Sequence, residues 1–142
     1  MAHKNIMGSE VAEGFACKPL KLDPKKPIMH FKTQIFLCDD ERCGSAGEKN
    51  LAKKLRDLTK EMNIDKGENR IKISRNFCQG ACRYRKVAQI VENTSSNGYA
   101  KNNNIFLPYT HKYSMNDWEN LFIKLTNNQS LEDFKQIEMK IF

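Results

Sequence analysis

Apolar, β-favouring residues recur in four short segments of the chain, in the alternating or clustered pattern that is typical of strands. Ile71 and Ile73, for example, alternate with basic and polar neighbours and would point to the same face. Pro108 directly follows the last segment and cannot donate to a ladder, which indicates that this strand lies at a sheet edge. We predict strands at 32–37, 70–74, 86–91 and 105–107.

A longer segment between the first two strands repeats apolar residues at three- and four-residue spacing, which predicts an amphipathic helix. It can begin at Ser45 or Gly47 and runs to about Asn63, where the turn residues of 65–67 end it. Its buried positions are Leu51, Leu55, Leu58 and Met62.

A second helix follows the last strand, with Ser114 or Asn116 as its N-cap. Its predicted buried stripe is Trp118, Leu121, Phe122 and Leu125. The element order is therefore strand, helix, three strands, helix. This order predicts an α/β fold, a small mixed sheet of about four strands with helices packed against it, as in thioredoxin-like domains.

The segments on either side of this domain differ in pattern. Residues 1–31 are rich in proline, which prevents a long helix or a central strand, so we predict a largely irregular N-terminal extension. The domain itself occupies 32–126. Residues 127–142 form a C-terminal tail with a short helical pattern at Leu131, Phe134, Ile137 and Ile141.

The chain has 142 residues, enough for one domain with a core, and lacks an apolar run of the ~18 residues that a membrane span needs. It also lacks the apolar region of a secretory signal, so we expect a cytoplasmic protein without a membrane span. Five cysteines in a cytoplasmic chain favour metal or redox chemistry over a disulfide framework.

The formal net charge of the chain is +7. Six of its basic residues fall between Arg70 and Lys86, a stretch that contains no acid. Such a stretch is either a solvated surface or a means of offsetting thiolate charge and docking an acidic partner. Binding of nucleic acid is not expected, because few aromatics are interleaved and no recognised motif is present. The stretch contains Arg70, Lys72, Arg75, Arg83, Arg85 and Lys86.

Four cysteines lie in two pairs, and each pair follows a predicted strand. Cys38 and Cys43 follow the first strand, and Cys78 and Cys82 follow the second. Two loops that each present two thiols can gather four soft ligands around one metal centre. Cys17 is left over, and neither it nor His3 is expected to bind metal, because termini are usually mobile.

Spacing separates the chemistries that paired cysteines support. A dithiol oxidoreductase needs Cys-x2-Cys at a helix start, and neither pair has that spacing. A structural zinc site and a [2Fe–2S] cluster both remain open, the cluster being the better match for wide pairs on glycine-containing loops. A Rieske centre would need two histidines, but His30 and His111 lie outside the cysteine loops and His111 is expected at the surface.

The cysteine pattern resembles the thioredoxin-like [2Fe–2S] ferredoxin family. The matching features are Gln34-Ile35-Phe36-Leu37-Cys38, Cys43-Gly44-Ser45 before an amphipathic helix, and Cys78-Gln79-Gly80-Ala81-Cys82, which matches the family's Cys-x-Gly-x-Cys pair. The first pair also resembles that of the related domain in small subunits of respiratory complex I and of hydrogenases. The resemblance covers roughly 32–126. The chain departs from the family after Cys82, where 84–86 stands in place of a frequent Gly-Pro.

By this resemblance, Cys38, Cys43, Cys78 and Cys82 would ligate one [2Fe–2S] cluster in an electron-transfer protein that is not an enzyme. Free-standing members are often homodimers, and this chain's basic character suggests a redox partner with an acidic docking face. Two alternatives stay open: a relay or structural subunit of a larger redox or cofactor-biosynthesis complex, and a zinc-stabilised binding module with a basic face. We find no triad, carboxylate pair or phosphate loop that indicates an active site.

Overall fold

The computed structural model describes residues 3–4, 10–11, 13, 30–38, 50–76 and 82–138, with only the backbone at 3–4, 11 and 82. The chain divides into two compact units, Met1–His30 and Phe31–Phe142. In the first unit, strand β1 (His3–Lys4) pairs antiparallel with strand β2 (Glu10–Val11). These two short strands were not predicted. Cys17 lies outside the described residues.

The second unit is built on a mixed four-stranded sheet of β3 (Thr33–Cys38), β4 (Ile71–Asn76), β5 (Ala88–Glu92) and β6 (Ile105–Leu107). The strand order is β4-β3-β5-β6. β3 and β4 are parallel, and the other two pairings are antiparallel. This arrangement confirms the predicted small mixed sheet, and it places β6 at an edge, as Pro108 indicated.

Helices α1 (Leu51–Glu61) and α2 (Met115–Thr126) supply the rest of the core. Ile35 of β3 lies between Ile73 of β4 and Ile90 of β5 in register, so the three side chains share one face. They form one apolar cluster with the buried residues of both helices. The fully buried residues of α2 are the four that were predicted, Trp118, Leu121, Phe122 and Leu125.

The start of α1 differs from the prediction, whereas its end agrees with the predicted end at about Asn63. Asn50, directly before the helix, has φ 57°, so the helix does not continue back through it. Asn63, with φ 58°, ends the helix four residues before Gly67. The N–H of Asn63 donates to the carbonyl of Lys60, and the N–H of Ile64 donates to that of Thr59. This is a Schellman motif in which asparagine takes the left-handed position that glycine usually fills.

Helix α2 begins at the predicted cap. The Ser114 hydroxyl accepts from the N–H of Asp117 at 3.1 Å, and the Asp117 carboxylate accepts from the N–H of Ser114 at 2.9 Å. This reciprocal capping box satisfies two backbone donors that would otherwise lack a partner.

A buried ion pair joins the start of β3 to the end of β5. The Lys32 ammonium lies 3.3 Å from the Glu92 carboxylate and donates to the carbonyl of Leu125 at 2.7 Å. The Thr33 hydroxyl donates to the same carboxylate at 3.0 Å. Both charged side chains are at most 2% exposed, so the pair ties the sheet to the end of α2 from within the core.

Residues 127–138 belong to this second unit and form turns and irregular backbone, not the short helix that the apolar spacing predicted. Leu131 is 1% exposed in the core cluster. The N–H of Ile137 donates to the carbonyl of Phe106 at 2.9 Å. Contacts with the sheet thus replace the intrahelical hydrogen bonds. Within the described ranges, no helix combines the length and the apolarity that crossing a bilayer requires.

Candidate metal centre

The parallel pairing of β3 with β4 brings the starts of both cysteine loops to one edge of the sheet. Cys38, the last residue of β3, is in register with Asn76, the last residue of β4. Cys78 follows Asn76 by two residues. Since parallel strands end on the same side, the chain leaves both strands at neighbouring positions of this edge.

Cys82 returns to the same edge. It opens a short 3-10 helix, Cys82–Tyr84, which leads into β5. The backbone N–H of Cys38 donates to the carbonyl of Val87 at 3.0 Å, just before β5 begins. The end of β3 is therefore hydrogen-bonded to the segment that Cys82 opens.

The connection between β6 and α2 holds this segment from its other side. The carbonyl of Tyr84 accepts from the N–H of Tyr109 at 2.9 Å, and the carbonyl of Lys86 accepts from the N–H of Thr110 at 3.0 Å. The Tyr84 and Tyr109 rings meet edge to face with centroids 6.2 Å apart. These contacts fix the backbone that follows Cys82, and the sequence pattern gave no sign of them.

The Cys38 thiol is the one predicted ligand whose side chain is described. It is a free cysteine and is 4% exposed. A buried, unoxidised thiol at the end of a strand is a suitable soft ligand for iron or zinc. Cys43 and Cys78 lie outside the described residues, as does the side chain of Cys82. Among the side chains that are described, no group of three or more His, Cys, Asp or Glu residues could hold a metal ion.

Several basic residues are described near this edge, although not all of them are at the surface. Arg83 and Arg85 are exposed on either side of Tyr84, and Arg75 is exposed at the register position beside Leu37. Lys86, by contrast, is 2% exposed. The prediction of a basic surface is therefore wrong for Lys86, which lies in the interior. The arginines that flank the cysteine loops are at the surface.

The two histidines named for a Rieske centre differ in position. His30 is the last residue of the first unit and comes three residues before β3 begins, whereas Cys38 is the last residue of β3. His111 follows Thr110 and is half-buried, not at the surface as expected. Its ring lies 6.4 Å from that of Tyr109, and its buried Nδ1 has no hydrogen-bond partner among the described residues. His111 adjoins Thr110, whose N–H donates to the carbonyl of Lys86 in the segment after Cys82.

Comparisons of this chain with models of known protein families and with curated protein sequences find no match. The resemblance to a ferredoxin family therefore rests on the cysteine motifs and on the strands that carry them.

Proposed function

We propose that the protein is a one-electron carrier that binds one [2Fe–2S] cluster through Cys38, Cys43, Cys78 and Cys82. One observation carries the proposal: β3 and β4 run parallel, with Cys38 in register with Asn76, two residues before Cys78. A chain in which these strands were antiparallel would send the two cysteine loops to opposite edges of the sheet.

The strand arrangement also supports a thioredoxin-like fold. A β-α-β unit, β3-α1-β4, is followed by a hairpin of β5 and β6 and by helix α2. The first strand of this series is central, with its parallel partner on one side and the hairpin on the other. The element order predicted from the sequence suggested the same fold, and the pairing of the strands supports the proposal.

When bound, the cluster supplies the capacity to accept and release one electron. The protein's part is to hold and tune it. The four thiolates would ligate the two irons, with the buried Cys38 on the side that faces the protein interior. The exposed Arg83 and Arg85 beside Cys82 would offset the negative charge of the thiolate-ligated centre.

The same charges suggest the partner. Arg75, Arg83 and Arg85 are exposed near the edge where an electron would leave, so we propose a redox partner with an acidic docking face. We further propose a cytoplasmic location, where thiols stay reduced and available to metal, and a homodimer by the family resemblance. No bond chemistry is assigned to the chain, which would make it an electron carrier and not an enzyme.

A closed zinc site is the second candidate. The same buried thiol and the same sheet edge would serve a tetrahedral four-cysteine site, and the Cys-x4-Cys spacing of the first pair suits zinc. Zinc would make the centre redox-silent and would give it a purely structural role.

The deciding experiment is an ultraviolet–visible spectrum of anaerobically purified protein with iron, sulfide and zinc analysis. We expect about two irons and two sulfides per chain and a visible absorption that bleaches with dithionite. Stoichiometric zinc without visible absorption would overturn electron transfer and leave the structural site.

A further inference from the structure

A second site is indicated by a cavity of about 580 Å³ beside α2. It is formed by the β6–α2 connection, by α2 itself and by the segment after it. Its volume is within the range of small-molecule binding sites. No residue of the proposed metal centre lines it. Its lining includes Tyr109, Lys112, Tyr113, Lys124, Phe134 and Lys135.

Aromatic rings form the apolar part of the wall. The rings of Tyr113 and Phe134 lie 5.8 Å apart, centroid to centroid, and Tyr109 contributes a third ring. Tyr113 packs in turn on Trp118, at 5.0 Å. Such a wall, backed by a buried indole, can receive a planar apolar group.

Two ammonium groups converge on one of these rings. The Nζ atom of Lys112 lies 5.5 Å from the centroid of the Tyr109 ring, and that of Lys135 lies 5.4 Å from the same centroid. Because both distances are measured to one point, the two nitrogens can be at most about 11 Å apart. Both ammonium groups therefore lie beside the part of the cavity wall that Tyr109 forms.

The carboxylates of the cavity are already engaged. Asp117 accepts the N–H of Ser114 in the capping box, at 2.9 Å. Asp133 forms an ion pair with Lys124 at 3.2 Å. Among the described residues, no carboxylate pairs with Lys112 or Lys135, so the described lining has an excess of positive charge next to aromatic rings.

We propose that this cavity binds a small aromatic anion, with its carboxylate or phosphate held by Lys112 and Lys135 and its ring against Tyr113 and Phe134. The site goes beyond the electron-transfer function and does not depend on it, since none of these residues belongs to the cysteine loops. An anionic head and a planar body are the two features that this combination of side chains can recognise together.

The test uses the full chain as purified, titrated with phenyl phosphate, benzoate and inorganic phosphate by calorimetry. Trp118, the one tryptophan in the sequence, serves as a fluorescent reporter because it contacts Tyr113. We expect saturable binding of phenyl phosphate or benzoate in about the millimolar range or tighter, and weaker binding of inorganic phosphate, which has no ring. Whichever of phenyl phosphate and benzoate binds with the higher affinity shows whether the site prefers a phosphate or a carboxylate.

The key variant is Lys112→Met with Lys135→Met, which should weaken binding about tenfold or more. The matched control is Lys66→Met with Lys101→Met, which removes two exposed charges elsewhere and should leave binding unchanged. Thermal unfolding verifies that both variants are folded. Equal weakening in the two variants would mean non-specific attraction and would overturn the site, as would an absence of saturable binding.

Discussion

The backbone N–H of Cys38 donates a hydrogen bond to the carbonyl of Val87 at 3.0 Å, and this bond joins the two regions that carry the cysteine pairs. Val87 lies five residues after Cys82, and Cys38 is itself five residues before Cys43. One backbone contact thus connects the first loop to the exit of the second. This relationship ties Cys38 and the backbone that follows Cys82 to one sheet edge.

We predict that alanine at Cys38, Cys43, Cys78 or Cys82 prevents the metal centre from assembling, because each would remove one of four thiolate ligands. Iron and sulfide content per chain, with the visible spectrum, would measure the loss. Cys17→Ala is the matched control and should keep the full metal content. A variant at Cys17 that alone abolished the centre would contradict the ligand assignment.

We predict that Lys32→Met lowers the free energy of unfolding by about 3–5 kcal/mol at neutral pH, because it leaves the buried Glu92 carboxylate without its cation. Urea unfolding would measure this. Combining it with Glu92→Gln, which removes the buried charge, should recover most of the loss. If the double variant were as unstable as Lys32→Met alone, lost packing and not charge would be the cause.

The effect of Lys32→Met should also depend on pH. Burial raises the pKa of Glu92 above 4.5, and the Lys32 ammonium opposes that rise. An acid with a raised pKa in the folded state contributes stability that is present below about pH 4.5 and is lost as the pH rises through the folded-state pKa. Without Lys32 the folded-state pKa rises further, so the variant should approach wild-type stability in acid and fall away from it towards neutrality.

We predict that Asn63→Gly stabilises the protein by up to about 1 kcal/mol, because glycine adopts the left-handed conformation at the end of α1 without steric cost. Asn63→Val should destabilise it by about 1–2 kcal/mol for the opposite reason. The same glycine substitution at Asn120, inside α2, should be mildly destabilising and serves as the control. Thermal or urea unfolding would compare the three variants.

We predict that Leu131→Ala costs about 2–5 kcal/mol of stability, because this side chain is 1% exposed in the core. Ile123→Ala, at a position that is 40% exposed, should cost about 1 kcal/mol or less. Urea unfolding would measure both. Equal effects at the two positions would show that the segment after α2 is not part of the folded core.

Much of the fold followed from the sequence because hydrophobic periodicity reports burial. The alternation around Ile71 and Ile73 located β4, and the spacing of the apolar residues from Trp118 to Leu125 located α2. The Ser114 cap had a local signature, since its partner is only three residues away. The two cysteine pairs could also be recognised locally, because each pair follows a predicted strand in the sequence.

Features that depend on distant parts of the chain could not be predicted. Lys32 and Glu92 are 60 residues apart, and each would be expected at the surface from its charge. Lys86 was assigned to a basic surface for the same reason, yet it is buried. Asn50 gave no signal for the start of α1 either, because asparagine is equally common in ordinary turns.

The outer strands of the four-stranded sheet have consequences for association between copies of the chain. The Phe106 carbonyl in β6 is occupied by the N–H of Ile137, and the Ile73 carbonyl in β4 accepts from the Arg56 guanidinium at 3.1 Å. At these positions another chain's strand has no free acceptor to pair with, which discourages the edge-to-edge stacking that leads to aggregation. A dimer that met through a face or a loop would keep both of these contacts and leave the sheet four strands wide.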